Sequence, residues 1–144
     1  MLDAMDLVGN PSSIHAEGRK AKAMMETARS QVAAAIGADD ADIIFTSGAT
    51  EAAALGLANA SLTCSGIEHE AVMSYCEASL DCDMQGFVDV LNPSTVALQY
   101  ANSETGVVQS VPKQIAFCDM AQAFGKLPLA FNCTDAKMAA ISAH

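Results

Sequence analysis

Residues 46–51, with the sequence TSGATE, could bind an anion. They lead from an apolar run through Gly48 into a helical pattern. Backbone N–H groups and the positive end of the helix dipole attract anions at such a turn, and the Thr50 hydroxyl adds a donor. The segment matches neither a Walker loop nor a dinucleotide fingerprint. A helix start that is only capped has the same composition, so both interpretations stay open at this point.

Two titratable residues could carry acid–base chemistry. His69 lies between two glutamates in residues 68–72, with the sequence EHEAV. Imidazole transfers protons near neutral pH, although a single histidine is also an ordinary surface or core residue. Asp119 ends the apolar run 115–118. In open α/β sheets ligands bind beyond the carboxyl ends of the strands, but an Asp in this position also caps turns.

The elements that must position these residues follow from the apolar pattern. Short apolar runs predict strands at residues 43–46, 61–64, 96–100, 115–118 and 137–142. The hydroxyl residues at 12–13 suit a helix start. After them, apolar residues recur at helical spacing and predict an amphipathic helix of about twenty residues that ends at Gly37. A second helix is predicted from Glu51 to about Ala60. This alternation predicts one α/β domain, with a mostly parallel (mixed) sheet covered by helices on both faces.

Composition excludes several kinds of partner and site. The chain has 144 residues and a net charge of −10, which disfavours nucleic acids and anionic membranes as partners. No apolar run reaches the roughly 18 residues of a membrane span, and acids stand where a signal peptide would be basic. The cysteines show no C-x-x-C pair, and no H-E-x-x-H motif is present, so we expect reduced thiols, a cytoplasmic protein and no metal site.

Six segments, taken in order, resemble the cofactor domain of the cysteine desulfurases, in the class V aminotransferase group of pyridoxal-phosphate enzymes of fold type I. The matching segments are residues 9–15, 43–52, 68–72, 102–109, 119–128 and 142–144. They are distributed in the same order along nearly the whole chain. The resemblance implies pyridoxal 5'-phosphate as the cofactor and the large domain of that fold as the architecture.

The resemblance also implies a role for each matching residue. His69 would be catalytic, stacking on the pyridine ring and moving protons. Asp119 would pair with the pyridine nitrogen and keep it protonated, so that the ring accepts electrons. Gln122 would bond the ring hydroxyl oxygen. The phosphate group would be bound by residues from the turn before the second helix and from the end of the chain: Ala49, Thr50, Ser142 and His144.

The chain departs from the family pattern in several places. The family lysine that binds the cofactor would directly follow His144, and none of Lys113, Lys126 or Lys137 stands in its place. We therefore expect residues 1–144 to be a portion of the large domain, without the N-terminal strand, that lysine and the C-terminal domain. Ser103 replaces an Asn that would contact the ring, and the connections at 72–95 and 106–119 are short. The helix expected in the second connection is missing.

The function that the resemblance implies is removal of sulfur from L-cysteine, which gives alanine and a persulfide for sulfur or iron–sulfur cluster delivery. The persulfide-forming cysteine would lie in the C-terminal domain, so none of the five cysteines is assigned to it. The implied partners are a cysteine-like amino acid, a second copy of the chain and a sulfur-acceptor protein. A selenocysteine lyase, an aminotransferase of the same class, or a non-catalytic relative acting in binding or assembly remains an alternative.

Overall fold

The structure is a computed structural model that describes residues 2–143, and the chain divides into two compact units, residues 1–43 and 44–144. The first unit contains helix α1 (Leu2–Met5) and helix α2 (Ala16–Ala35). The long helix is confirmed, and Gly37, with φ of 62°, follows its end. Its start is different from the prediction. His15 is the N-cap and makes no side-chain cap bond, while the Ser13 hydroxyl accepts from the His15 N–H instead.

The beginning of α2 packs closely against the preceding loop. A side chain on Gly18 would collide with the backbone oxygen of Asn10, and one on Gly9 would lie 2.6 Å from the Glu17 oxygen. Only glycine permits these two approaches. Further along the helix, Arg29 pairs with Glu26 at 3.2 Å and donates to the Ile43 carbonyl. No helix in the described part of the chain has the length and apolar character that crossing a membrane would require.

The second unit contains the sheet. Its strands are β1 (Thr63–Ser65), β2 (Glu77–Leu80), β3 (Ala97–Gln99), β4 (Phe117–Asp119) and β5 (Met138–Ala140). Its helices are α3 (Ala49–Leu57), α4 (Glu70–Met73) and α5 (Phe131–Thr134), with a 3-10 turn at Pro93–Thr95.

All the strand pairs are parallel. β1 pairs with β2, and β4 lies between β3 and β5, with Asp119 opposite both Gln99 and Ala140. A single parallel bridge from Thr63 to Val96 connects the two groups, so the spatial order is β2-β1-β3-β4-β5. The last residues of β3, β4 and β5 are in register, so the three strands end together at the carboxyl edge of the sheet.

Alternate residues of the strands form two apolar clusters on opposite faces of the sheet. On one face, Phe117 packs with residues of α3 and α4, including Leu57 and Val72. A Cβ on Gly56 would lie 2.9 Å from the Phe117 ring, so the ring lies directly against the helix backbone. On the other face, Cys118 belongs to a cluster that includes Phe131 of α5. Asp119, two residues after Phe117, lies on the α3 face.

Four of the five predicted strands are confirmed, each with shifted ends, but the strand at 43–46 is wrong. Ile44 and Phe45 are 73% and 46% exposed. Their apolar character predicted burial, yet no strand of the described chain pairs with this segment, and a strand needs a partner. The exposed strand β2 was not predicted, because its sequence, EASL, lacks an apolar run. The expected absence of a helix in the connection at 106–119 is confirmed.

Candidate functional site

The start of α3 presents backbone N–H groups that precede the first hydrogen bond of the helix. Gly48 is the N-cap, and the first helical bond runs from the Ala52 N–H to the Gly48 oxygen, so the N–H groups of Ala49 and Thr50 precede it. A Cβ built on Gly48 meets nothing within 4 Å, so the space beside the turn is open. Glu51 accepts from the Ser47 N–H at 2.5 Å, and this bond lowers the pKa of the Glu51 carboxyl.

His69 is fixed in orientation by the helix that it begins. It is the N-cap of α4, and its Nδ1 accepts from the Ala71 N–H at 3.1 Å. An accepting nitrogen carries no proton, so the neutral ring has its proton on Nε2. The side chain is exposed. Nε2 is therefore the atom through which His69 can exchange a proton with a ligand.

Asp119 lies half-buried at the end of β4, within electrostatic range of His69. Burial raises the pKa of its carboxyl, whereas the hydrogen bond from the Ala121 N–H and the nearby His69 lower it. The Ala121 N–H donates a 2.9 Å hydrogen bond to Asp119 Oδ1, and this bond leaves Oδ2 unused. The turn bond predicted as the alternative is thus present, and the structure also brings Asp119 and His69 together.

The other predicted site residues that the structure describes lie at the start of α3 and after strands β3, β4 and β5. Thr50 is exposed at the α3 start, and α3 packs against α4 and β5. Gln122 lies in the turn after β4, where its Oε1 accepts from Lys126 Nζ at 2.6 Å. Ser142 is half-buried just after β5, and His144 lies outside the described residues. Ser103 is exposed and donates to Glu104 at 3.4 Å.

A buried polar network beneath the site was not predicted. Asn102 Nδ2 donates to the Ile67 oxygen at 2.8 Å and to Gln99 Oε1 at 3.2 Å, while Gln99 Nε2 donates to the same Ile67 oxygen at 2.9 Å. Asn102 Oδ1 accepts from the N–H groups of Glu104 and Thr105. The loop before His69 is thereby tied to the turn after β3. A polar Gln99 in an otherwise apolar strand was the signal in the sequence.

Glu68 is the second buried acid of the site. It is 4% exposed, and Ser65 Oγ donates to its Oε1 at 3.3 Å. Its Oε2 is buried without a hydrogen-bond partner. Burial raises the pKa of Glu68 to about 7; the Gln99 backbone lowers it in part, and the nearby Asp119 raises it further. The sequence showed Glu68 only as a neighbour of His69.

This raised pKa predicts a pH-dependent stability. The native state holds the Glu68 proton more tightly than the unfolded state, so the stabilisation is complete below pH 4.5 and is lost as the pH rises to about 7. The difference between the ordinary pKa of 4.5 and the native pKa of about 7 corresponds to about 3 kcal/mol in the free energy of unfolding. Urea unfolding should be measured at pH 5 and pH 8. Relative to wild type, the free energy of unfolding of Glu68→Gln should be higher at pH 8 than at pH 5, by up to that amount. A constant difference between the two proteins would contradict the prediction.

The described cysteines and acids show neither a cluster of metal ligands nor an activated thiol. No group of three or more potential metal ligands occurs among the described residues. All five cysteines are free thiols. Burial raises the pKa of Cys64 to about 12 and that of Cys118 further still, which disfavours the reactive thiolate.

Comparison with known proteins identifies the family. The aminotransferase class-V family matches residues 3–82. A cysteine desulfurase of Enterobacter agglomerans is 33% identical over 177 residues, covering 96% of this chain and 43% of that protein. A cysteine desulfurase of Rattus norvegicus is 33% identical over 185 residues, covering 100% of this chain and 41% of that protein. The chain thus spans less than half the length of these curated relatives.

Solved structures agree with the sequence relatives. A NifS-like protein from Rickettsia africae superposes with a TM-score of 0.84 at 29% identity, covering 99% of this chain and 49% of that one. The structure of SspA in complex with cysteine gives a TM-score of 0.83 at 25% identity, covering 99% of this chain and 53% of that one. The α/β architecture of a fold type I pyridoxal-phosphate enzyme is confirmed, and the chain belongs to the aminotransferase class-V family.

Proposed function

We propose that this chain is the cofactor-binding portion of the large domain of a pyridoxal-phosphate-dependent cysteine desulfurase. The observation that carries the proposal is the placement of a half-buried Asp119 within electrostatic range of His69, on the face of the sheet against which α3 packs. One carboxylate, one imidazole and one open helix start are the groups that this cofactor requires. The cysteine desulfurases among the relatives support the reaction.

The residues present fit pyridoxal phosphate. The space beside Gly48 is open, and the N–H groups of Ala49 and Thr50 would hold the phosphate there, with Ser142 and His144 completing the site. Asp119 would hold a proton on the pyridine nitrogen, and the bound ring would supply a sink for the electrons released from the amino acid. Gln122 would reach the ring hydroxyl after leaving Lys126. His69 would cover the ring and move a proton through Nε2.

The proposed net reaction transfers sulfur from the substrate to the enzyme. The carbon–sulfur bond of cysteine breaks, an enzyme thiol gains the sulfur as a persulfide, and alanine leaves. The relative solved with cysteine supports this substrate. We further propose a cytoplasmic homodimer that passes the persulfide to an acceptor protein for iron–sulfur cluster assembly. Selenocysteine lyase or aminotransferase activity in the same fold remains the alternative. The exposed, short Ser103 favours a non-catalytic relative as a second candidate.

The test uses the protein expressed at the full length of its gene. With pyridoxal phosphate it should show a visible absorbance band, and with L-cysteine it should release equal amounts of alanine and of sulfur that a reductant frees as sulfide. Selenocysteine and common amino acids serve as competing substrates. A protein that stays colourless would refute cofactor binding, and one that binds the cofactor but converts none of these amino acids would identify the non-catalytic relative.

A further inference from the structure

Glu68 is a buried acid to which the proposed chemistry assigns no role. It lies in the loop between β1 and α4, directly before His69, and is 4% exposed. Only Oε1 accepts a side-chain bond, from Ser65, and Oε2 has no hydrogen-bond partner. A carboxylate with an unsatisfied buried oxygen is unfavourable, whereas a protonated carboxyl group removes most of that cost.

The groups around Glu68 also disfavour a negative charge on it. Asp119, at the end of β4, lies within electrostatic range of Glu68 and raises its pKa. Three thiols also lie within electrostatic range, at Cys64 on β1, Cys76 before β2 and Cys118 on β4, and none of them supplies a positive charge. Ser65 and the Gln99 backbone supply the hydrogen bonds that favour its ionised form. Among the described residues, no lysine or arginine contributes to this balance.

Asp119 has the better environment for a charge. Its Oδ1 accepts a 2.9 Å bond from the Ala121 N–H, and His69 lies within electrostatic range and lowers its pKa. It is also half-buried, whereas Glu68 is fully buried. When two neighbouring acids share one proton in a poorly solvated site, the proton stays on the acid whose charge is stabilised less.

We propose that Glu68 is a positioning residue that keeps the proton of this acid pair, so that the negative charge lies on Asp119. The inference rests on the proposed function, because Asp119 is the partner of the pyridine nitrogen only if the cofactor binds. Glu68 would then hold the site at one negative charge up to neutral pH. Its ionisation would add a second negative charge near a cofactor that is itself anionic.

Infrared difference spectroscopy of the full-length protein without cofactor tests the protonation. The band of a protonated carboxyl group should be present at pH 6, disappear by pH 8 with a midpoint of about 7, and be absent from Glu68→Gln. Asp119→Asn should lower that midpoint, because it removes the neighbouring charge. Glu70→Gln, the same change at an exposed neighbour, should leave the band intact. A wild-type band already lost at pH 6, or a midpoint unchanged in Asp119→Asn, would overturn the inference.

Pyridoxal phosphate binding gives the second measurement. Wild type and Glu68→Gln should bind the cofactor equally at pH 6. At pH 8, wild type should bind the cofactor more weakly than Glu68→Gln does. Glu70→Gln should have the wild-type affinity at both pH values. If wild type and Glu68→Gln bound the cofactor equally at both pH values, the inference that Glu68 acts on the cofactor through Asp119 would be overturned. Failure of all the proteins to bind the cofactor would refute the proposed function alone, since the infrared test still decides which acid holds the proton. If Glu68→Gln does not fold, the midpoint in Asp119→Asn decides.

Discussion

Asp119→Asn should reduce turnover of L-cysteine by about 10²–10³-fold, the usual effect of removing one electrostatic group from an active site. Asn keeps an oxygen that can accept the 2.9 Å bond from the Ala121 N–H, so the turn after β4 should remain folded. What is lost is the negative charge that would hold a proton on the pyridine nitrogen. Steady-state release of alanine, with circular dichroism to verify the fold, measures both effects.

Asp89→Asn is the matched control for this change. Asp89 is exposed in the same unit, and the substitution removes the same charge. Turnover in the control should stay within experimental error of wild type, and cofactor occupancy should be complete. If Asp119→Asn retained wild-type turnover, Asp119 would not be the partner of the ring nitrogen.

Phe117→Ala should lower the free energy of unfolding by about 3–5 kcal/mol, as buried aromatic truncations do. The side chain is 1% exposed and is in contact with the backbone of α3 at Gly56. Removing the ring would leave a cavity between β4 and α3, the helix whose first turn would bind the phosphate in the proposed function. Pyridoxal phosphate should therefore also bind more weakly.

Urea unfolding and cofactor titration measure the two consequences of Phe117→Ala. Phe87→Ala provides the comparison, because Phe87 is 47% exposed and its truncation should change stability little. Equal stability losses in the two variants would show that the α3–β4 contact does not hold this unit together.

The sequence predicted the architecture better than the electrostatics. Apolar runs around Leu98, Cys118 and Ala139 located three strands, because burial on both faces leaves a continuous apolar signal. The same signal failed at Ile44, since apolar character does not reveal whether a partner strand is present. Local patterns report what a segment tends to form, and pairing depends on the rest of the chain.

The individual site residues were easier to find than their partners. His69 and Asp119 stand in distinctive local sequences, and the structure brings them within electrostatic range of each other. Glu68 and Gln99 could not be linked by the same means, because they are thirty-one positions apart. Their contact depends on the placement of β1 beside β3, which rests on one bridge from Thr63 to Val96. No short-range pattern encodes that order.

The pairing of β3, β4 and β5 in register determines where residues can be inserted or deleted in this domain. Side chains alternate between the faces, so a one-residue insertion within β4 would turn Asp119 away from α3 and expose the wrong neighbour at the crevice. Deletions between Gly106 and β4 carry no such parity constraint, and that connection reaches the strand without a helix. The connection that follows Gly106 can therefore change length without moving Asp119 to the other face, whereas β4 must keep its residue count.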